Sequence, residues 1–233
     1  MTAAGGIPRT AGVRVVGDVH GDARAFAMAA ETDLFVVQLG DLTDYGPDSA
    51  DCLRIMFRLI DERRGLFVLG NHDLKLWRAL ADHDVRIGPE LRETLHQLDP
   101  PLRARAMAEI ARAPGWVLRG PTLFVHGGFH TAMLDGPPPP TPDGRVEGVL
   151  ARAIYGEPTG RQLANGYPER SLRWVDRIPP GLTVYCGHDR RSSDGRPYIR
   201  RNREGGTAIF VDTGAGKGGH LSWIDLAAEE ANG

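Results

Sequence analysis

Five short apolar runs in this chain each stop at a glycine-flanked polar motif, and that repeated joint restricts the possible folds. Val13–Val16 (VRVV) runs into Gly17-Asp18, residues 34–39 (LFVVQL) into Gly40-Asp41, and residues 66–69 (LFVL) into Gly70-Asn71-His72. Thr122–Val125 (TLFV) meets His126-Gly127-Gly128, and residues 182–186 (LTVYC) meet Gly187-His188. Apolar runs this short, bounded by turn residues, read as buried strands. Segments with helical periodicity over 22–30, 47–63, 74–81 and 90–111 lie between them, the last interrupted at Asp99-Pro100-Pro101. The pattern predicts an α/β fold with its polar residues gathered at the C-terminal strand ends, where open α/β sheets bind ligands. Further short strands are expected over 116–118, 208–211 and 221–224, with exposed loops over 134–148 and 190–203.

At 233 residues the chain suits one large domain, expected over 13–226 between a loose start (1–12) and a tail (227–233). The formal net charge of −2 marks no nucleic-acid or membrane surface. Of the 28 basic residues only Lys75 and Lys217 are lysines. No apolar stretch is long enough to span a membrane, and the N-terminus lacks the pattern of a secretory signal. Cys52 and Cys186 make no metal or redox spacing. A cytoplasmic location is therefore the expectation.

The five motifs supply Asp18, His20, Asp41, Asn71, His126 and His188, enough hard oxygen and imidazole nitrogen for two adjacent divalent cations. Asp18 and His20 alternate along an extended segment and can converge on one ion from the same side. Asp41, ending the neighbouring strand, can bridge both ions, while Asn71, His126 and His188 complete the second. Two cations about 3.5–4 Å apart are a recurring way to attack a phosphate ester. Manganese is the expected metal, with iron and zinc also compatible.

These motifs, taken in order as GDVHG, GDLTDYG, GNHD, HGG and GHD, resemble those of the calcineurin-like metallophosphoesterases, above all the phosphoprotein phosphatase branch. The resemblance runs from Val13 to about Leu226. It extends to small bacterial serine/threonine phosphatases, symmetric diadenosine tetraphosphate hydrolases and the phosphatase module of bacterial polynucleotide kinase-phosphatases, the last through YGEPTG (155–160) and VDTGAGKGGHLSWIDL (211–226). It implies a four-layer α/β/β/α sandwich of two mixed sheets with a dinuclear metal site at the strand ends. It also implies hydrolysis of phosphomonoesters by a dimetal-activated water, with His72 as general acid and Asp44 orienting its imidazolium. The leading expectation is a serine/threonine protein phosphatase-like enzyme acting on a phosphorylated protein. The alternative is a symmetric diadenosine tetraphosphate (nucleotide) hydrolase. A third reading, from another class, is a non-catalytic phosphate-binding module, but retention of a positioned acid beside every metal ligand argues against it.

The family pattern GDxxDRG reads GDLTDYG here, so Tyr45 stands where the resembled enzymes carry an arginine that clamps phosphate. A phenol cannot reproduce the bidentate, charge-assisted contacts of a guanidinium. Arg190 or Arg191, just past His188, can replace the lost charge, and Asp212 at another strand end can orient a ligand or cap a turn. Asp73, in place of the usual glutamate, is the milder departure. The expected substrate-binding set is thus Tyr45, Asn71, Arg190 and Asp212. Tyr45→Arg is expected to lower KM for simple phosphomonoesters in a phosphate-release assay; an unchanged or higher KM would refute that role for position 45.

Overall fold

The computed structural model describes residues 6–8, 10–139, 146–164 and 166–228. β1 (Val13–Val16), β2 (Phe35–Gln38) and β3 (Gly65–Phe67) are parallel neighbours, with β11 (Trp223–Leu226) antiparallel beside β1, giving the order β11-β1-β2-β3. A second sheet has the order β4-β5-β8-β10-β9, from β4 (Trp116–Arg119), β5 (Thr122–Val125), β8 (Thr183–Cys186), β9 (Tyr198–Arg201) and β10 (Thr207–Phe210). Its central strands β5, β8 and β10 are parallel, and its two edges are antiparallel.

The packing follows from the two-residue period of a strand. Val13 and Val15 of β1, Phe35 and Val37 of β2, Phe124 of β5 and Tyr185 of β8 share one cluster between the sheets. Their chain neighbours Val16, Val36, Leu123, Val125, Val184 and Cys186 face outward into a second cluster. That outer cluster is shared with α1 (Ala23–Ala30), α2 (Ser49–Asp61), α3 (Asn71–Leu80), α4 (Pro89–Gln97), α5 (Pro100–Arg112) and α6 (Gly148–Tyr155). Burial on both faces explains why these runs show no polar alternation, and the result is the expected mixed α/β sandwich of two sheets. Asp99 caps α5 by accepting from Leu102 N at 2.8 Å, with Pro100 and Pro101 opening the helix, so the 90–111 segment divides where the prolines predict.

Three expectations are corrected. The helix expected over 74–81 begins at Asn71, because Gly70 is its N-cap and Asp73 folds back onto the Gly70 N–H (3.1 Å). The polar stretch 190–203 contains β9, a short edge strand, largely exposed, that needs only one neighbour. The final strand is Trp223–Leu226 rather than 221–224. Two features escaped notice: α6, and a two-stranded hairpin of β6 (Pro158–Gln162) and β7 (Pro168–Arg170) that pairs only with itself. Of the loop expected over 134–148, residues 140–145 lie outside the described residues, as do 1–5 and 229–233 of the expected tails. Cys52 and Cys186 are buried free thiols. No described helix is long and apolar enough to cross a membrane.

The His126-Gly127-Gly128 joint after β5 packs directly on the end of α6. Gly127 N donates to Ala153 O at 2.5 Å, and a Cβ at Gly127 would run into the Gly156 amide and meet the Ile154 carbonyl at 2.8 Å. Gly127→Ala is therefore expected to destabilise the fold by about 1–3 kcal/mol. Gly136→Ala, where a Cβ meets nothing within 4 Å, should shift stability by no more than about 0.5 kcal/mol. Urea unfolding of both variants checks the contrast.

Candidate metal centre

All six predicted ligands leave the C-terminal ends of β1, β2, β3, β5 and β8, so the parallel strands of both sheets deliver them to one seam. His20 and His126 are fully buried, and Asp18 and Asp41 are each 2% exposed. Each buried imidazole donates Nδ1–H to a backbone carbonyl: His20 to Thr43 O at 3.0 Å and His126 to Leu39 O at 2.7 Å. That makes Nδ1 the outward donor and turns both Nε2 atoms inward.

The side-chain donors converge. His126 Nε2 lies 3.1 Å from Asn71 Oδ1, 3.1 Å from His188 Nδ1 and 3.4 Å from Asp41 Oδ2. On the other side of Asp41, His20 Nε2 stands 3.6 Å from Asp41 Oδ2 and 3.8 Å from Asp18 Oδ2. Ligand atoms of His20, Asp41 and His72 form one tight group, and those of Asp41, His126 and His188 another. Asp41 belongs to both, as a bridging carboxylate would. Asp18 lies at the edge of the first group, its two oxygens each accepting the His188 N–H at 3.0 Å.

The donor set fits divalent cations. Ligands bonded at about 2.0–2.2 Å to one ion stand roughly 3–3.4 Å from each other, the spacing found around His126 Nε2. The buried Nε2 of His20, which faces Asp18 and Asp41, has no hydrogen-bond partner among the described residues, a costly condition unless something else occupies the lone pair. Burial lowers the His20 pKa to about 3 and holds His188 well below the usual imidazole range, assisted by the His126 charge. Both rings are therefore neutral and ready to ligate. Burial opposes charge on His126 too, but Asp41 outweighs it and raises that pKa to about 9. Burial likewise pushes Asp41 up, yet His126 and His72 hold it well below the carboxylate range. Asp18, raised by burial and then by Asp212, is left short of positive charge.

Around this cluster the backbone is forced. His20, Asp41, Asp44, Tyr45 and His188 all have positive φ, between 45° and 74°. Gly40 has φ 92°, and a Cβ there would meet the Gly70 backbone and His126 Nδ1 at 2.8 Å, so only glycine fits between these loops. Asp73 binds them together: Oδ2 accepts from Asp41 N (2.7 Å) and Gly70 N (3.1 Å), and Oδ1 from Leu42 N (3.0 Å). This structural role was missed by sequence reasoning, although the i, i+3 spacing of Gly70 and Asp73 at a helix start carried the signal.

His72 and Asp44 meet as expected, Nδ1 donating to Oδ2 at 2.6 Å. Thr94 Oγ1 on α4 donates to the other Asp44 oxygen at 2.8 Å, a partner no motif announced. The His72 side chain is 13% exposed and so lies at the wall of the site. Asp212 caps its own turn by accepting from Gly214 N at 2.8 Å. Arg191 is held by Asp189 at 2.6 and 2.8 Å, so its charge is already matched, whereas Arg190 packs its guanidinium against Gly214. A cavity of about 570 Å³ opens beside His188 and Asp212, lined also by Tyr167, Arg170, Arg190 and Lys217. Arg170, Tyr167 and Lys217 were not singled out from the sequence. A separate apolar cavity of about 480 Å³, along Leu66, Phe67 and Pro114, holds none of these residues.

A cation at 100 times its Kd adds about 2.7 kcal/mol to stability, and each kcal/mol moves Tm by about 2–4 °C in a domain of this size. Manganese added to chelator-stripped protein is thus expected to raise Tm by roughly 5–10 °C. Asp41→Asn should remove most of that rise in the same melting experiment; a rise that survives the substitution would remove Asp41 from the ligand set.

A profile of the calcineurin-like phosphoesterases matches residues 13–189. A bis(5'-nucleosyl)-tetraphosphatase PrpE, designated asymmetrical, from Geobacillus thermodenitrificans is 25% identical over 90% of this chain and 88% of its own length. A symmetrical bis(5'-nucleosyl)-tetraphosphatase from Chromohalobacter salexigens is 31% identical over 70% of this chain and 60% of its own length. In fold, the chain is similar to a protein serine/threonine phosphatase from Saccharomyces cerevisiae (TM-score 0.61, 14% identity, 95% of this chain and 81% of that one). With the strand-end motifs, the two-sheet sandwich and the ligand cluster in agreement with that profile, the chain belongs to the calcineurin-like phosphoesterases and is a hydrolase.

Proposed function

We propose that this enzyme hydrolyses nucleoside polyphosphates of the dinucleoside tetraphosphate kind, rather than the phosphoproteins that head the sequence-based expectation. The observation that carries this reading is the 570 Å³ cavity beside His188 and Asp212, with Arg170 and Arg190 in its wall. A recess of that size beside the metal centre suits a ligand with several phosphates and a base, and it is within the usual range for small-molecule sites. The relatives named as tetraphosphatases support the same substrate class, while the likeness to a protein phosphatase is one of fold.

Asp18, His20 and Asp41 would hold one cation, and Asp41, Asn71, His126 and His188 the other, with manganese as the proposed metal. When bound, such a pair supplies Lewis acidity at phosphorus and a more acidic water. His72 serves as general acid: Asp44 engages Nδ1, which orients the ring and leaves Nε2 to serve the departing oxygen. Thr94 holds the second Asp44 oxygen, so the carboxylate cannot rotate away from His72.

The first test supplies manganese to stripped protein and compares diadenosine tetraphosphate with a phosphoserine peptide. Higher kcat/KM on the dinucleotide is expected, and ADP alone or AMP with ATP as product distinguishes symmetric from asymmetric cleavage. Preference for the peptide would overturn the reading. His72→Asn should lower kcat about 10²–10⁴-fold for an alkyl phosphomonoester, the usual worth of a general acid. The loss should be smaller for p-nitrophenyl phosphate, whose leaving group needs no proton; equal losses on both would remove the acid role.

A further inference from the structure

One wall of the metal centre is an aromatic ring that carries a cation. The Tyr45 ring stands edge-on to His20 with centroids 5.0 Å apart, and 5.3 Å from the ring of His72. Over the same ring sits Lys217 Nζ, 4.4 Å from its centroid. Lys217 makes no ion pair with a described carboxylate. This distinguishes it from Arg191, which Asp189 holds at 2.6 Å. An aromatic face attracts an ammonium without cancelling its charge, so Lys217 is held in place while its charge stays available to an anion.

The loop that delivers Lys217 is tightly built. Gly214, Gly216 and Gly218 all have positive φ (89°, 67° and 82°). Lys217 N and Gly219 N both donate to Gly214 O, at 3.0 and 2.8 Å, and Thr213 Oγ1 donates to His220 O at 2.6 Å. At Gly216 a Cβ would collide with the carbonyl oxygen of His20, so the loop lies directly on the backbone of a candidate ligand. Lys217 itself is exposed, whereas the ligands behind it are buried. A cation at the rim addresses the part of a substrate that extends out of the site, not the group undergoing attack.

We propose that Lys217, seated on Tyr45, binds a phosphate of the substrate other than the one being hydrolysed, so that this pair selects polyphosphates over single phosphomonoesters. Tyr45 is then a positioning residue that acts through the ammonium. The inference rests on the reading above only in requiring a ligand with more than one phosphate.

Calorimetric titration of manganese-loaded protein with inorganic tripolyphosphate and with orthophosphate tests it directly. Lys217→Ala should weaken tripolyphosphate binding about tenfold more than orthophosphate binding. Tyr45→Ala should reproduce that loss, while Tyr45→Phe, which keeps the ring, should retain most of the discrimination. The advantage of wild type over Lys217→Ala should shrink in 0.5 M salt, because a rim charge is screened. Should Tyr45→Ala fail to fold, Lys217→Glu replaces it and should lose more tripolyphosphate affinity than Lys217→Ala. Equal weakening of both anions, or none, overturns the proposal. Because inorganic anions carry no nucleoside, an enzyme that rejects diadenosine tetraphosphate would refute the substrate reading and leave this measurement decisive.

Discussion

Five carboxylates buried at one seam set the terms for the rest of this structure. Asp18, Asp41, Asp44, Asp73 and Asp212 are each at most 3% exposed, and an uncompensated buried carboxylate costs several kcal/mol. Part of that cost is offset locally. Backbone N–H groups reach Asp73 from three residues, Asp18 from His188, Asp41 from His72 and Asp212 from Gly214. Asp44 receives His72 and Thr94. The remaining deficit falls on Asp18 and Asp41, which face the partnerless Nε2 of His20. Divalent cations would resolve both deficits at once, supplying charge to the carboxylates and an acceptor for the lone pair.

The same demand explains the strained backbone. Of seven described non-glycine residues with positive φ, five lie in this site, and such conformations cost on the order of 1–3 kcal/mol each where the surroundings hold them. Here the surroundings are tight: the Gly21 and Gly46 backbones touch, Gly216 lies on His20, and Gly187 lies on Asp18. Sheet packing below and loop packing above leave each ligand one position, which is the pre-organisation that metal sites and phosphoryl chemistry require.

The departure at Tyr45 acquires a physical meaning in this setting. Losing an arginine at that point removes a charged fork, but the ring that replaces it seats an ammonium from a loop about 170 residues further along the chain. The positive charge that this ring seats stands at the rim, in the wall of the cavity that holds Arg170 and Arg190. A substrate with a chain of phosphates can use charge in both places, which is the physical link between this substitution and the proposed nucleotide chemistry.

Much of this was legible in the sequence because it depends on local rules. A short apolar run ending at glycine and a polar ligand is a strand entering a functional loop, and β1, β2, β3, β5 and β8 follow that rule with small shifts at their ends. That the candidate ligands cluster and that His72 meets Asp44 was legible for the same reason, each being part of a contiguous motif. What the sequence concealed depends on contacts between distant segments. Asp73 reads as a helix-start residue, yet its main work is to hold the loop that carries Asp41, 32 positions away. Thr94 and Arg170 sit in no motif, β9 is only four residues within a polar stretch, and Lys217 is an isolated cation among glycines until Tyr45 lies beneath it. By itself, then, the sequence determined the strand-end chemistry and the hydrolase class, because residue type and spacing specify which ligands leave which strand. Only the tertiary structure decided how charge is distributed around those ligands, because that depends on which loops the two packed sheets bring face to face.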